Sequence, residues 1–97
     1  MNPVALAFLT IASFTPAARA EACLGPDQAR IHAGVHDFIV LPDAIKAARR
    51  VIAGETISAN LCRVDGRLMY VLAILAKDGR VVRAIVDPEN AAVRQLP

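Results

Sequence analysis

The segment ISANLCRVDGRLMYVLAILAKDGRVVRAIV, residues 57–86, decides the fold. Apolar residues alternate along it, and Asp-Gly interrupts the run twice, at Asp65-Gly66 and Asp78-Gly79. Asp-Gly between alternating runs is a strong short-range hairpin signal, because both residues tolerate the positive φ that a tight turn needs. The segment therefore predicts two successive hairpins, a three-stranded antiparallel meander. If Asp65-Gly66 is a two-residue turn, Val64 faces Arg67, and counting outwards pairs Leu61 with Tyr70, Ala59 with Leu72 and Ile57 with Ile74. All of these are apolar and share one face of the sheet. A two-residue turn at Asp78-Gly79 would bring Arg83 opposite Ile74 and pull its guanidinium into the core, where an unpaired charge is costly. A three-residue loop, Lys77-Asp78-Gly79, with Gly79 in the left-handed position, instead pairs Ile74 with Val82, Leu72 with Ala84 and Tyr70 with Val86.

Outward from this core, the N-terminal side divides into a leader and two helices. The apolar run from Val4 to Phe14 is too short to span a membrane, and Ala18-Arg19-Ala20 fits the small-x-small cleavage rule. Residues 1–20 read as a secretory signal peptide and residues 21–97 as one mature domain, although no Lys or Arg precedes the apolar run. Glu21 and Ala22 ahead of Cys23 do not form a lipobox, which argues against a lipid anchor. The expected location is periplasmic or extracellular, with no membrane span in the mature protein. Gly25-Pro26-Asp27 opens a helix that Gly34 is expected to end. Pro42-Asp43 opens a second, carrying Ile45, Ala48, Val51 and Ile52 inward and Lys46, Arg49 and Arg50 outward until Gly54 stops it. Phe38 to Leu41 form an apolar connector. Asp87-Pro88-Glu89-Asn90 is a turn, after which Val93 and Leu96 make a short terminal strand. The expected fold is α+β: one or two N-terminal helices packed on one face of a three- to four-stranded antiparallel meander sheet.

Composition narrows the function. Removing Arg19 with the leader leaves ten basic and nine acidic residues, a charge of +1 against +2 for the full chain. This lacks the basic excess of a nucleic-acid binder. So small a domain gains from a covalent staple, and Cys23 and Cys62 are the only cysteines. A bridge would close a loop of about 40 residues, worth up to ~4 kcal/mol in the chain-entropy model. In the register above Cys62 points away from the core, so Cys23 must reach it around the edge of the first strand. Two free thiols or an intermolecular bond remain the alternatives.

From about Val40 to Val93 the chain resembles a PepSY domain, a module of thermolysin-type propeptides and of small exported bacterial proteins. The resemblance is carried by Leu41-Pro42, Gly54, Ile57-x-Ala59-x-Leu61, Gly66-Arg67-x-x-Tyr70-x-Leu72, and Asp78-Gly79-Arg80-Val81 leading to Val86-Asp87. It implies helix packed on an antiparallel sheet and a role in inhibiting or modulating envelope peptidases. The chain departs from the family where Asp43 replaces the last residue of a Leu-Pro-Leu lead and Asn90-Ala91 replaces a Thr-Gly turn. It also has Val71 and Ala73 where outward-facing positions of the middle strand are usually charged.

Met69, Val71, Ala73, Leu75, Val81 and Ile85 thus give the sheet a second apolar face, with Arg83 at its border. Met69, Val71, Ala73, Val81, Arg83 and Ile85 are the candidate partner-binding residues, since an apolar patch of this kind implies a partner, a second copy, or cover by the chain itself. His32 and His36 share a face only on an unbroken helix, and two ligands are too few for a closed zinc site, so no metal or cofactor is expected. Arg63, Arg67, Arg80 and Arg83 could gather around an anion. The more economical reading pairs Arg67 and Arg80 with Asp65 and Asp78 at the turns. Ser58 and Thr56 stand near no histidine in a nucleophile arrangement, and no phosphate loop occurs, so catalysis is not expected. These readings converge on a non-catalytic protein-binding domain, and the resemblance implies a modulator or inhibitor of envelope peptidases acting through an apolar sheet face or edge strand. The alternative is a homodimeric sensory or structural envelope protein answering to ligand or redox state.

Overall fold

The computed structural model describes residues 22–97. The leader and cleavage site read over residues 1–20 lie outside the described residues. The chain folds as two helices on one face of a five-stranded antiparallel sheet, an α+β architecture. The elements run β1 (Ala22–Cys23), α1 (Pro26–His36), α2 (Leu41–Val51), β2 (Glu55–Val64), β3 (Arg67–Leu75), β4 (Val81–Val86) and β5 (Val93–Gln95). The sheet follows chain order, so each strand pairs with its sequence neighbour. The expected meander of β2, β3 and β4 is widened by a short strand at each edge, giving five strands where three to four were expected.

Both hairpins take the expected loops. Asp65 and Gly66 have φ of 49° and 81°, the two positive values of a tight two-residue turn, and Val64 faces Arg67. In the second hairpin Ala76 N–H donates to Arg80 O at 2.9 Å around Lys77, Asp78 and Gly79, with Gly79 at φ 87°. Ile74, Leu72 and Tyr70 consequently face Val82, Ala84 and Val86. Arg83 stays on the exposed side, opposite Ala73. One pair in the first hairpin is corrected: Thr56, not Ile57, faces Ile74, because a bulge between Thr56 and Ser58 leaves Ile57 as the extra residue. The bulge turns Ile57 out, and it is 54% exposed.

α1 also departs from expectation. Gly34 does not end it. The helix continues to His36 and stops where Asp37 adopts the left-handed conformation, φ 54°, with Phe38 N–H donating to Ala33 O at 2.9 Å. An internal glycine costs a helix about 1 kcal/mol relative to alanine and need not break it. α2 starts with Pro42 in its first turn and Asp43 beside it, as its sequence requires. Its buried contacts come from Ala44 and Ala48, with Ile45 half-buried and Ile52 buried. Val51, expected inward, is 65% exposed. Small residues on the inner face let α2 lie close to Leu61, Tyr70, Leu72, Ile74, Ala84 and Val86, which form the core with it.

Gly54 makes the passage from α2 into the sheet possible. Its φ is 154°, and a Cβ there would sit 2.5 Å from Leu75 O and 2.7 Å from Ile74 Cγ2. The connector is anchored twice: Tyr70 Oη donates to Ile39 O at 2.7 Å, and Ile39 N–H donates to Pro88 O at 2.9 Å. Burial pushes ionisation of the Tyr70 hydroxyl above its ordinary value, which keeps it a donor.

Candidate functional site

The second sheet face is apolar, but its residues are not equally available. Val71 and Ile85 face each other across β3 and β4 and are buried, at 7% and 1% exposure. Met69 and Ala73 are half-buried. Val81, opposite Leu75, is 56% exposed and Leu75 is 39% exposed. The accessible apolar surface of this face collects at one end, at the facing pair Leu75 and Val81. Sequence reasoning placed Ile57 in the core; a bulge, which carries no reliable local signature, exposes it instead.

Cys23 and Cys62 are bridged within the chain. Cys62 is buried on the face away from the helices, as its register requires. Cys23 reaches it from a strand of its own, β1, which lies against β2 and sets the two cysteines directly opposite. Two residues are too few for alternation to reveal such a strand.

The arginines separate. Arg80 is paired with Asp78, whose carboxylate accepts from Nε at 2.8 Å and from the Arg80 backbone at 3.0 Å. Arg67 meets Asp87 at 3.5 Å, because the register of β3 on β4 brings Asp87, just past the end of β4, to its side of the sheet. Arg63 and Arg67 line a shallow depression of about 350 Å³ with His32 and His36, and Arg80 and Arg83 are not among its walls. Since α1 is unbroken, the two histidines do share a face, with ring centroids 6.0 Å apart. Among the described residues no group of three His, Cys, Asp or Glu side chains is placed to hold a metal ion. No helix of the described residues is long and apolar enough to cross a membrane.

A cavity lies on the helical side. It measures about 690 Å³ and runs between α1 and the start of α2 over the middle of β2. Ala29, Ala33 and Gly34 of α1 form one wall, Val40 and Leu41 the other, and Ala59, Leu61 and Tyr70 the floor. The groove exists because α1 presents small side chains at helical spacing toward β2 and buries only Ala33. A run of small residues on a weakly amphipathic helix was the signal available in the sequence, and it does not by itself distinguish a groove from close packing.

The groove opens beside an incomplete strand edge. β1 pairs only with Cys62 and Arg63, and the last bond along that edge is Leu24 N–H to Leu61 O, 2.8 Å. The chain then leaves at Gly25-Pro26 for α1. Residues Glu55 to Asn60 of β2 have no strand on that side among the described residues. Comparison with known proteins finds no matching family model, no matching curated protein and no matching solved structure.

Proposed function

We propose that the chain is an exported, non-catalytic protein-binding domain that modulates or inhibits an envelope peptidase, the role implied by its PepSY-like pattern. The observation that carries this reading is the facing apolar pair of Leu75 and Val81, which stays exposed at one end of a sheet face whose centre is buried. Exposed apolar groups collected in one place mark a contact surface more often than scattered ones do. The Cys23–Cys62 bridge supports export, since such bonds persist in oxidising compartments. Contact is centred on Leu75 and Val81, with Met69, Ala73 and Arg83 around them, while Val71 and Ile85 support the face from within.

The test is peptidase activity in an envelope extract titrated with purified domain, alongside a Leu75→Glu/Val81→Glu variant that keeps its unfolding midpoint. Activity should fall with dose for the parent and not for the variant. Equal effects of the two, or none from either, refute the reading. A dimer seen by light scattering that dissociates in the variant would assign the face to a second copy instead.

A further inference from the structure

We infer that the groove between α1 and α2 receives an extended apolar segment of another polypeptide, added as a short strand to the edge of β2 at Ala59, which no strand of the described residues covers. Three observations converge on that occupant. First, β2 is regular from Ser58 to Val64, so the backbone groups of Ala59 point the same way as those of Leu61, toward the edge that β1 has left. An unpaired strand edge is a template for another chain, and main-chain bonding there fixes an incoming segment in register. Second, side chains of an added strand alternate between faces. A residue opposite Ala59 projects to the helical side, where Ala59 and Leu61 form the floor of the 690 Å³ groove. That volume lies within the range of ligand-binding pockets. Third, the groove selects against charge. Its charged lining residues are Arg30 and Asp37, of opposite sign, and Arg30 is already paired with Asp27. The remaining walls are mainly alanine, proline, leucine, phenylalanine and valine.

The bulge at Ile57 restricts pairing to a short stretch around Ala59, because ladder geometry is interrupted beyond it. Strand addition therefore supplies direction and register, and the apolar side chain entering the groove supplies most of the affinity. The site is separate from the outer-face cluster of Leu75 and Val81 and shares with it only the premise that the domain binds polypeptide.

Gly34 provides the decisive variant. It lines the groove in a helical conformation, and a Cβ there meets nothing within 4 Å. Gly34→Leu fills the groove while improving helix propensity, so its folding is expected to be unimpaired. The probe is a blocked, fluorescently labelled peptide alternating threonine and leucine, with a serine-for-leucine control and a version N-methylated at its central residue. The leucine peptide should bind saturably and shift the amide resonances of Ala59 and Leu61. Gly34→Leu and N-methylation should each weaken binding by about tenfold or more. Equal binding of the serine peptide, undiminished binding by Gly34→Leu, or no saturable binding overturns the proposal; unchanged affinity of the N-methylated peptide overturns its strand-addition component. The assay contains no peptidase, so failure here leaves the peptidase reading standing, and loss of peptidase modulation leaves this site standing.

Discussion

Opening the Cys23–Cys62 bridge should destabilise the domain by about 2–4 kcal/mol. The bridge spans 39 residues, and in the chain-entropy model a loop of this size restricts the unfolded chain by about 4 kcal/mol at 25 °C. That figure is an upper value, since residual structure in the unfolded chain and relaxation of the native one both reduce it. The native structure offers little to compensate. β1 has only two residues, both exposed, and α1 buries only Ala33, so neither holds its place by packing. For a domain of this size the loss corresponds to a fall in Tm of roughly 10–25 °C. The assay is thermal and urea unfolding of the oxidised protein, of the same protein with reductant, and of a Cys23→Ala/Cys62→Val double variant. Cys62 is buried, and valine limits the void left behind. Intact mass establishes that the starting material is bridged. A shift below about 1 kcal/mol in both reduced protein and variant would refute the reasoning, because the entropy of a loop this long could not then be the bridge's main contribution.

Gly54→Ala should cost about 2–4 kcal/mol, since the new Cβ would collide with Leu75 O and Ile74 Cγ2 at a φ unfavourable to any other residue; a urea midpoint within about 0.5 kcal/mol of the parent would contradict the close approach of this backbone to β3. Ala91→Gly should stabilise by about 0.5 kcal/mol. Ala91 sits at φ 62° in the turn before β5, where relief of roughly 1–2 kcal/mol of left-handed strain outweighs the 0.5–1 kcal/mol or so that glycine loses in chain entropy. A lower Tm for the variant would exclude that balance.

How far the sequence reveals this fold depends on the range of each signal. Asp65-Gly66 and Lys77-Asp78-Gly79 are local, and with the burial cost of Arg83 they set the register of β3 on β4 and most of β2 on β3. The bulge at Ile57 is not local. It follows from the closure of α2 onto the sheet through Gly54, where β2 must begin against Leu75, and no residue within β2 announces it. Gly34 misleads for a related reason: glycine allows a helix to stop without requiring it, and the end is set three residues later, where Asp37 turns left-handed and the connector meets Tyr70 and Pro88. The apolar nature of the outer face was legible from alternation alone. Which of its members are accessible was not, since Val71 and Ile85 alternate just as Leu75 and Val81 do.

The same geometry links the bridge to the groove. α1 makes few core contacts, and its position is fixed chiefly at its two ends. At the N-terminus the Cys23–Cys62 bridge and the bond from Leu24 N–H to Leu61 O hold the chain to β2. At the C-terminus Phe38 and Ile39 are seated, with Ile39 held by Tyr70 Oη and Pro88 O. A helix held by its ends rather than by its face can stand off the sheet, and that stand-off is what leaves the cavity over Ala59 and Leu61. Cutting the bridge releases one end only. The β2–β3–β4 core has no cysteine besides Cys62 and keeps its helix α2, so the first structure lost on reduction should be the α1 wall of the groove. Amide exchange should then report loss of protection in α1 before any loss in β3, because local opening follows the elements with fewest buried contacts.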